Sequence, residues 1–579
     1  MTRLTRRNLL GLAGSVAGLA ACGQTSDVAP GGRVNMDADT RAPYDGEVAF
    51  RHGVASGDPL PDRVILWTRV TPLGAINKPV PVSYGVFTDR ERTRPVAFGL
   101  TMAEPGRDFC VKVDAEGLEP DTEYFFQFVA RATGGEMGSP LGRTRTAPPA
   151  GTSPTLKLAV ISCSNYPFGL FNVYREIGSR SDLDAVVHLG DYIYEYGVDG
   201  YGGATGQEIG RNHDPIMETV TLDDYRIRHA QYKSDPDLQA AHAAAPWLCT
   251  WDDHESTNNS YRSGAENHNP EENEGDWTDR KQAAVQAYLE WMPVRDPEPG
   301  RAREAIYRRF DFGDTATVFC LESRLTGRSD EISWFAELGG LEPAQIPMAA
   351  ARTMTKVQAE DRTMLGAAQE DWLAEGLKAS VARGAAWQVL ANQVIMARVR
   401  PPNFTRTLTP EQIAAVENGY VQQLIPFSQL GLPWNLDAWD GFPAARERLY
   451  AAAAEAGARL VTLTGDTHTA WANDLHDGEG RLRGVEFGCT SVTSPGFGTY
   501  MPGVPGLGEM FEAANEDVVH YDPHGHGYVL VTLTEDTARA DFIKVSTILE
   551  TDYESSVADS FLATREGKGM IGLVEARKG

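Results

Sequence analysis

Four apolar runs in this chain each break off on acids, thiol, phenol or imidazole, and no other feature narrows the fold as much. They are "LKLAVISCSN" (Leu156 to Asn165), "LDAVVHLGDY" (Leu183 to Tyr192), "PWLCTWDDHE" (Pro246 to Glu255) and "RLVTLTGDTH" (Arg459 to His468). Short apolar runs bounded by Gly, Ser and Asp read as strands buried on both faces. In layered α/β sheets ligating groups gather beyond the carboxyl ends of strands, so the four tips predict one site despite their separation in sequence. A single Gly-Asp pair is an ordinary turn or cap, but four such tips together predict a site.

The same alternation continues through "TATVFCLESR" and "AWQVLANQV", with amphipathic helices expected over "QEDWLAEGLKASVARG" and "AARERLYAAAAEAG". Upstream, from about Gly46 to Thr146, short alternating runs such as "DRVILWTRV", "PVSYGVF" and "TEYFFQFVAR" predict a small β-sandwich. Within it "LEPDTEYFFQF" resembles a fibronectin type III pattern, with Tyr124 as the corner tyrosine. The stretch "TAPPAGTSP" (Thr146 to Pro154) reads as a linker, and Ser263 to Arg280 and Pro401 to Pro443 as long surface insertions.

The chain opens on "TRRNLLG" and "LLGLAGSVAGLAA", paired Arg6-Arg7 before an apolar segment too short and too rich in Gly and Ala to span a membrane. This resembles a twin-arginine export signal over residues 1–22, closed by "LAAC", whose Cys22 is either a lipid-anchored first residue or an accident of the cleavage region. Residues 23–45 read as a flexible tether. Either processing route places the mature protein outside the cytoplasm. With 80 acidic against 53 basic residues the formal charge is −27, and no basic run offsets it, which argues against nucleic-acid binding. Six cysteines in 579 residues imply no disulfide framework.

The motifs "ISCSNYPFGLFNVY", "HLGDYIYEYG", "WLCTWDDHESTNNSY", "WDGFPAARERL", "LTGDTHTAW" and "GCTSVTSPG" stand in the order typical of PhoD-type alkaline phosphatases, a branch of the metallophosphoesterases, and the chain resembles that family from about Gly46 to Ile543. The resemblance implies a layered α/β/β/α metallophosphatase-like catalytic domain, residues 155–550, preceded by a small fibronectin/Ig-like β-sandwich domain over 46–147. Residues 551–579 are then a C-terminal tail, packed on the catalytic domain or trailing from it. It also implies hydrolysis of phosphate mono- and diesters with Fe³⁺ and Ca²⁺.

Matched by position, the resemblance implies that Asp191 bridges the metals and that Cys163 and Tyr194 bind iron. Thiolate and phenolate are charged, polarizable donors suited to a ferric ion, while Asp253 supplies hard oxygen for calcium. Asp466 and His468 complete the set from the last strand, and Asp252 stands beside them or just behind. His254 is expected to contact phosphate or protonate the leaving group. Arg324, in Glu322-Ser323-Arg324 where the family shows Asp-Thr-Arg, is a candidate phosphate contact, with a surface ion pair as the alternative. Asn258 and Asn259 are weaker candidates of the same kind. Tyr192 and Tyr196 read as packing, and "HYDPHGHGY" (His520 to Tyr528) as a turn rather than a metal site. The metals would lower the pKa of a bound water and neutralise phosphoryl oxygens. Two other readings stay open: a phosphodiesterase or phospholipase D-like enzyme with the same metals, and a non-catalytic phosphate- or metal-binding lipoprotein.

Overall fold

The computed structural model describes residues 41–567 and 569–576. The expected signal, residues 1–22, and all but the last five residues of the expected tether lie outside the described residues. A ten-stranded and a seven-stranded sheet form the centre of the molecule. In the first, Leu156–Ile161, Ala185–His188 and Pro246–Cys249 run parallel. In the second, Ala316–Cys320, Trp387–Ala391, Leu460–Thr464 and Leu482–Gly488 do the same.

Strand alternation explains the layering. Leu156, Leu158 and Val160 point into a core shared with Val318, Val389 and Val461 of the other sheet. Their neighbours Ala159 and Ile161 face a second core with helices Asn172–Ser179, Pro236–Ala244 and Trp277–Trp291. Phe319, Leu321 and Leu390 face a third core under Ala367–Arg383 and Pro443–Ala456. The order is helix, sheet, sheet, helix, and strands covered on both faces need the unbroken apolar runs seen in the sequence. Gly384 and Gly457, at φ 96° and 69°, close the two helices on that second side in the left-handed conformation glycine favours.

The N-terminal strands share a sheet with the strands that follow them. Val82, Val86, Phe126 and Phe128 of one sheet pack on Val54, Val64, Leu66 and Val111 of another. That second sheet is not separate, because Val54–Leu60 pairs in parallel with Pro246–Cys249 and continues the ten-stranded sheet across the expected boundary. Left alone, Pro246–Cys249 would present an edge of unpaired backbone groups. Gly57 allows the join, since a Cβ there would lie 2.8 Å from the carbonyl oxygen of its strand partner Trp247 and 2.1 Å from that of Pro293. The seam is tied by fully buried Asp58, which accepts from Arg308 Nη2 at 2.6 Å and Nε at 2.9 Å. The Tyr124 hydroxyl accepts from the Glu119 backbone N–H at 2.8 Å.

Three other segments are more ordered than their composition suggests. Residues expected as a tail form Ser555–Glu566 and Gly569–Glu575, the outer antiparallel strands of the ten-stranded sheet. The 401–443 insertion holds Phe404–Thr407, Pro410–Ala414 and Gly419–Phe427, short helices whose Val421, Leu424 and Phe427 reach the third core. Thr409 and Asn418 cap the latter two, so residues that look like loop punctuation are helix starts. Trp277–Trp291 likewise begins inside the expected 263–280 insertion.

One buried cation gives a direct stability prediction. Lys233 is 1% exposed, with its ammonium 3.1 Å from His242 Nε2 and 4.4 Å above the Trp67 ring, and burial lowers its pKa to about 7. The unfolded chain then binds more protons than the fold between about pH 7 and 10.5, so stability rises with pH across that window. Lys233→Met should therefore raise stability by about 2 kcal/mol at pH 6, and the gain should shrink by pH 10. Thermal unfolding at the two pH values checks it, and a loss of stability at pH 6 would mean that the ring contact outweighs desolvation.

Candidate metal centre

The four predicted tips meet at the carboxyl ends of the two sheets. Three come from the first sheet, after Leu156–Ile161, Ala185–His188 and Pro246–Cys249, and Asp466 and His468 follow Leu460–Thr464 of the second. Cys163, Asp191, Asp466 and His468 all have positive φ, between 55° and 63°. Non-glycine residues take this conformation at a cost of about 1 kcal/mol or more, and its repetition at three of the four tips marks residues held for their side chains.

Asp191 is the hub. Its Oδ2 accepts from Cys163 Sγ at 3.3 Å and from Tyr194 Oη at 3.2 Å, and Tyr194 Oη lies 3.3 Å from His468 Nε2. Its Oδ1 accepts the His254 backbone N–H at 3.4 Å. Ligand atoms of Cys163, Asp191 and His468 lie within 4.8 Å of one another, as do those of Asp191, Asp253 and His254. The two groups share only Asp191. Tyr192 lies beneath, bonded to His242 at 2.9 Å, while Tyr196 borders the cavity and packs 5.4 Å from His254.

Burial sets the electrostatics. It pushes the Asp191 carboxyl, the Cys163 thiol and the Tyr194 phenol well above their usual ranges, with Asp191 adding to the last two. Burial, then His254, lowers His468 to about 3, which leaves the neutral imidazole a ligand must be. Asp253 is also disfavoured by burial, but Arg324 and His254 outweigh this and hold it below the usual carboxylate range. Asp252 Oδ2 and Asp253 Oδ1 are buried without a hydrogen-bond partner. Orphan oxygens beside a thiol, phenol and imidazole form a donor set that fits cations of two kinds, one served by polarizable donors and one by oxygen.

Arg324 is fully buried and does not border the cavity. Its Nε donates to Asp252, its Nη1 lies 2.7 Å from Asp437 Oδ2, and its Nη2 lies 3.7 Å from Asp253 and 3.8 Å from Asp466. Its charge is thus spent on four carboxylates. Glu322 accepts from the backbone N–H groups of Arg324, Leu325 and Thr326, so the acid that departs from the family pattern shapes the turn carrying this arginine. Asn258 and Asn259 border the cavity, but their amides donate to Glu266 at 2.9 and 2.7 Å. His520, Asp522 and Asp559 also bring ligand atoms together, away from the hub, and Asp522 is paired with Lys544.

Three further acids matter, none of which was given a role from the sequence, although Glu255 belongs to one of the four tips. Glu195 accepts from His254 Nδ1 at 2.7 Å and from the Asn258 N–H at 2.8 Å. Asp437 joins Arg324 to Arg328. Glu255 Oε2 accepts from the Asp191 and Asp252 N–H groups at 3.0 and 2.9 Å, and Oε1 from Tyr192 at 2.7 Å. The only sequence signal is an acid inside "YIYEYG", "NLDAWD" and "DDHE". Glu255→Ala should cost about 3 kcal/mol, because three buried N–H groups lose their acceptor, and Glu255→Gln should recover part of it. Denaturant unfolding of both variants measures this.

Paired sheets deliver carboxylate, thiol, phenol and imidazole to one buried point, the donor set of a metal-binding protein. The family model described as PhoD-like phosphatase matches residues 158–542, and that of the PhoD-like phosphatase N-terminal domain matches 36–148. The chain is 35% identical over 585 residues to alkaline phosphatase D of Bacillus subtilis (strain 168), covering 98% of this chain and 88% of that one. It therefore belongs to the PhoD-like phosphatase family and is a phosphoric ester hydrolase. A solved structure of PhoD superposes with TM-score 0.74 at 33% identity, over 93% of this chain and 94% of that one. A purple acid phosphatase from yellow lupin seeds shares the fold, with TM-score 0.51 at 13% identity over 89% and 74% of the two chains.

Proposed function

We propose that this protein is an exported phosphatase that hydrolyses phosphate monoesters, and diesters as well, using Fe³⁺ and Ca²⁺. The observation that carries the reading is the sharing of Asp191 between two donor groups of different chemistry. Cys163, Tyr194 and His468 with Asp191 would hold the ferric ion, and Asp253 with Asp191, Asp252 and Asp466 the calcium. When bound, the ions supply Lewis acidity toward the phosphoryl oxygens and an activated water. His254 borders the cavity with Nδ1 engaged by Glu195, which leaves Nε2 to protonate the departing alkoxide. Burial disfavours the charged imidazole, but Asp253, Glu195 and Asp191 outweigh it and keep the proton there. Arg324 keeps four carboxylates at one point. A cavity of about 540 Å³ has room for a second alcohol, which favours a phospholipase D-like diesterase as the second reading.

Turnover of p-nitrophenyl phosphate and its bis-ester, measured with metal content, chelation and add-back, tests the reading. Full activity after exhaustive removal of iron and calcium would end it. Export by the twin-arginine route with a lipid anchor at Cys22 predicts that replacing Arg6-Arg7 by lysines retains the protein in the cytoplasm. It also predicts that Cys22→Ser moves it from the membrane to the soluble fraction. The N-terminal strands are read as fibronectin-like because of the bond from Glu119 to Tyr124.

A further inference from the structure

The cavity wall is predominantly acidic, with the His254 imidazolium as its one cationic side chain. It carries seven carboxylates and no lysine or arginine. Asp191, Asp253 and Asp466 belong to the metal centre, Asp437 accepts from Arg324 and Arg328, and Asp440 from Arg446. Glu266 and Glu331 are left over. Among the described residues neither forms a close ion pair with Lys or Arg, and only Arg328 acts on Glu331 from farther off; one Asn259 amide donates to both, at 2.7 and 3.2 Å. Burial, then the nearby Glu266, raises Glu331 to about 7, so these two carboxylates share a corner at some cost.

Four residues after Glu331 stands Phe335, which borders the same cavity and is 37% exposed. Its ring centroid lies 5.6 Å from Tyr420, itself 48% exposed, and 5.5 Å from Trp434, and the latter two are 5.1 Å apart. An exposed aromatic corner beside carboxylates that form no close ion pair is suited to a soft organic cation, held by ring faces and by charge. A polyanionic alcohol would meet Glu266 and Glu331 instead. We propose that this cavity selects phosphate esters whose alcohol carries an ammonium or quaternary ammonium group, with Phe335, Tyr420 and Trp434 against the cation and Glu266 and Glu331 balancing its charge. The inference rests on the phosphoesterase reading above. The step is hydrolysis: water oxygen bonds to phosphorus, the ester P–O bond breaks, and the alkoxide leaves as the protonated amino alcohol.

Phosphocholine and 3,3-dimethylbutyl phosphate, its uncharged carbon isostere, isolate the charge at constant shape. The wild-type kcat/KM should favour phosphocholine by about tenfold or more at low salt. In Glu266→Gln/Glu331→Gln and in Tyr420→Leu the ratio should fall toward one. A wild-type ratio near one, or a ratio untouched in the double variant, would overturn the proposal. Calorimetric binding of choline against 3,3-dimethylbutanol to the full chain gives the same comparison without turnover. If p-nitrophenyl phosphate is not hydrolysed either, the phosphoesterase reading fails, while choline binding no tighter than its isostere refutes the cation corner.

Discussion

Asp191→Asn is expected to strip the metal centre and lower kcat/KM by about 10³-fold or more, the rate equivalent of roughly 4 kcal/mol of lost transition-state stabilisation. Asparagine is chosen because Asp191 sits at φ 55°, a conformation asparagine tolerates, and because Glu255 grips the residue through its backbone N–H. The fold should survive. What goes is one negative charge at the only residue common to both donor groups, Cys163 with His468 and Asp253 with His254. Loss of iron and calcium together, at unchanged circular dichroism, is the expected signature. Cys163→Ser touches one group only and should lower iron content far more than calcium. An Asp191→Asn enzyme that keeps both metals and its rate would show that the two groups do not act through a shared carboxylate.

The parts of this arrangement legible in the sequence are those written in side chains. Strands covered on both faces need continuous apolar residues, so their ends stand out, and the acids, thiol and imidazole at those ends could be counted before any fold was known. Helices Ala367–Arg383 and Pro443–Ala456 announce themselves by apolar period and a closing glycine. What stayed hidden is written in backbone. Glu255 is one more acid in a motif until its partners prove to be three N–H groups on two loops. The parallel pairing of Val54–Leu60 with Pro246–Cys249 depends on an open strand edge and on the missing Cβ of Gly57, and neither leaves a pattern. Asp437 lies 113 residues from Arg324, and no local rule connects them. Tyr196 looks like packing because phenol at a strand end serves packing or a cavity wall equally well.

Arg324→Met should destabilise the metal-free protein by about 3–5 kcal/mol, because it leaves four buried or half-buried carboxylates without their common cation. With calcium present the loss should be smaller, since a divalent ion among the same oxygens takes over that balance. The pH dependence has a defined sign. Although burial opposes it, Arg324 with His254 holds Asp253 below its ordinary pKa, so that part of the stability is present above about pH 4 and is lost as pH falls through the folded value. The deficit of the methionine variant should therefore be largest at neutral pH and narrow in acid. Burial has already raised Asp252 to about 6 despite Arg324, and protonating it relieves the same repulsion. Arg324→Lys keeps the charge but cannot span Asp252 and Asp437 with a planar fork, so it should recover only part of the loss. Denaturant unfolding at pH 3 and pH 8, with calcium and with chelator, gives the whole pattern. If Arg324 acted chiefly on substrate phosphate, the variant would keep its metal-free stability and show only a raised KM, and the placement of its guanidinium among four acids argues for the other result.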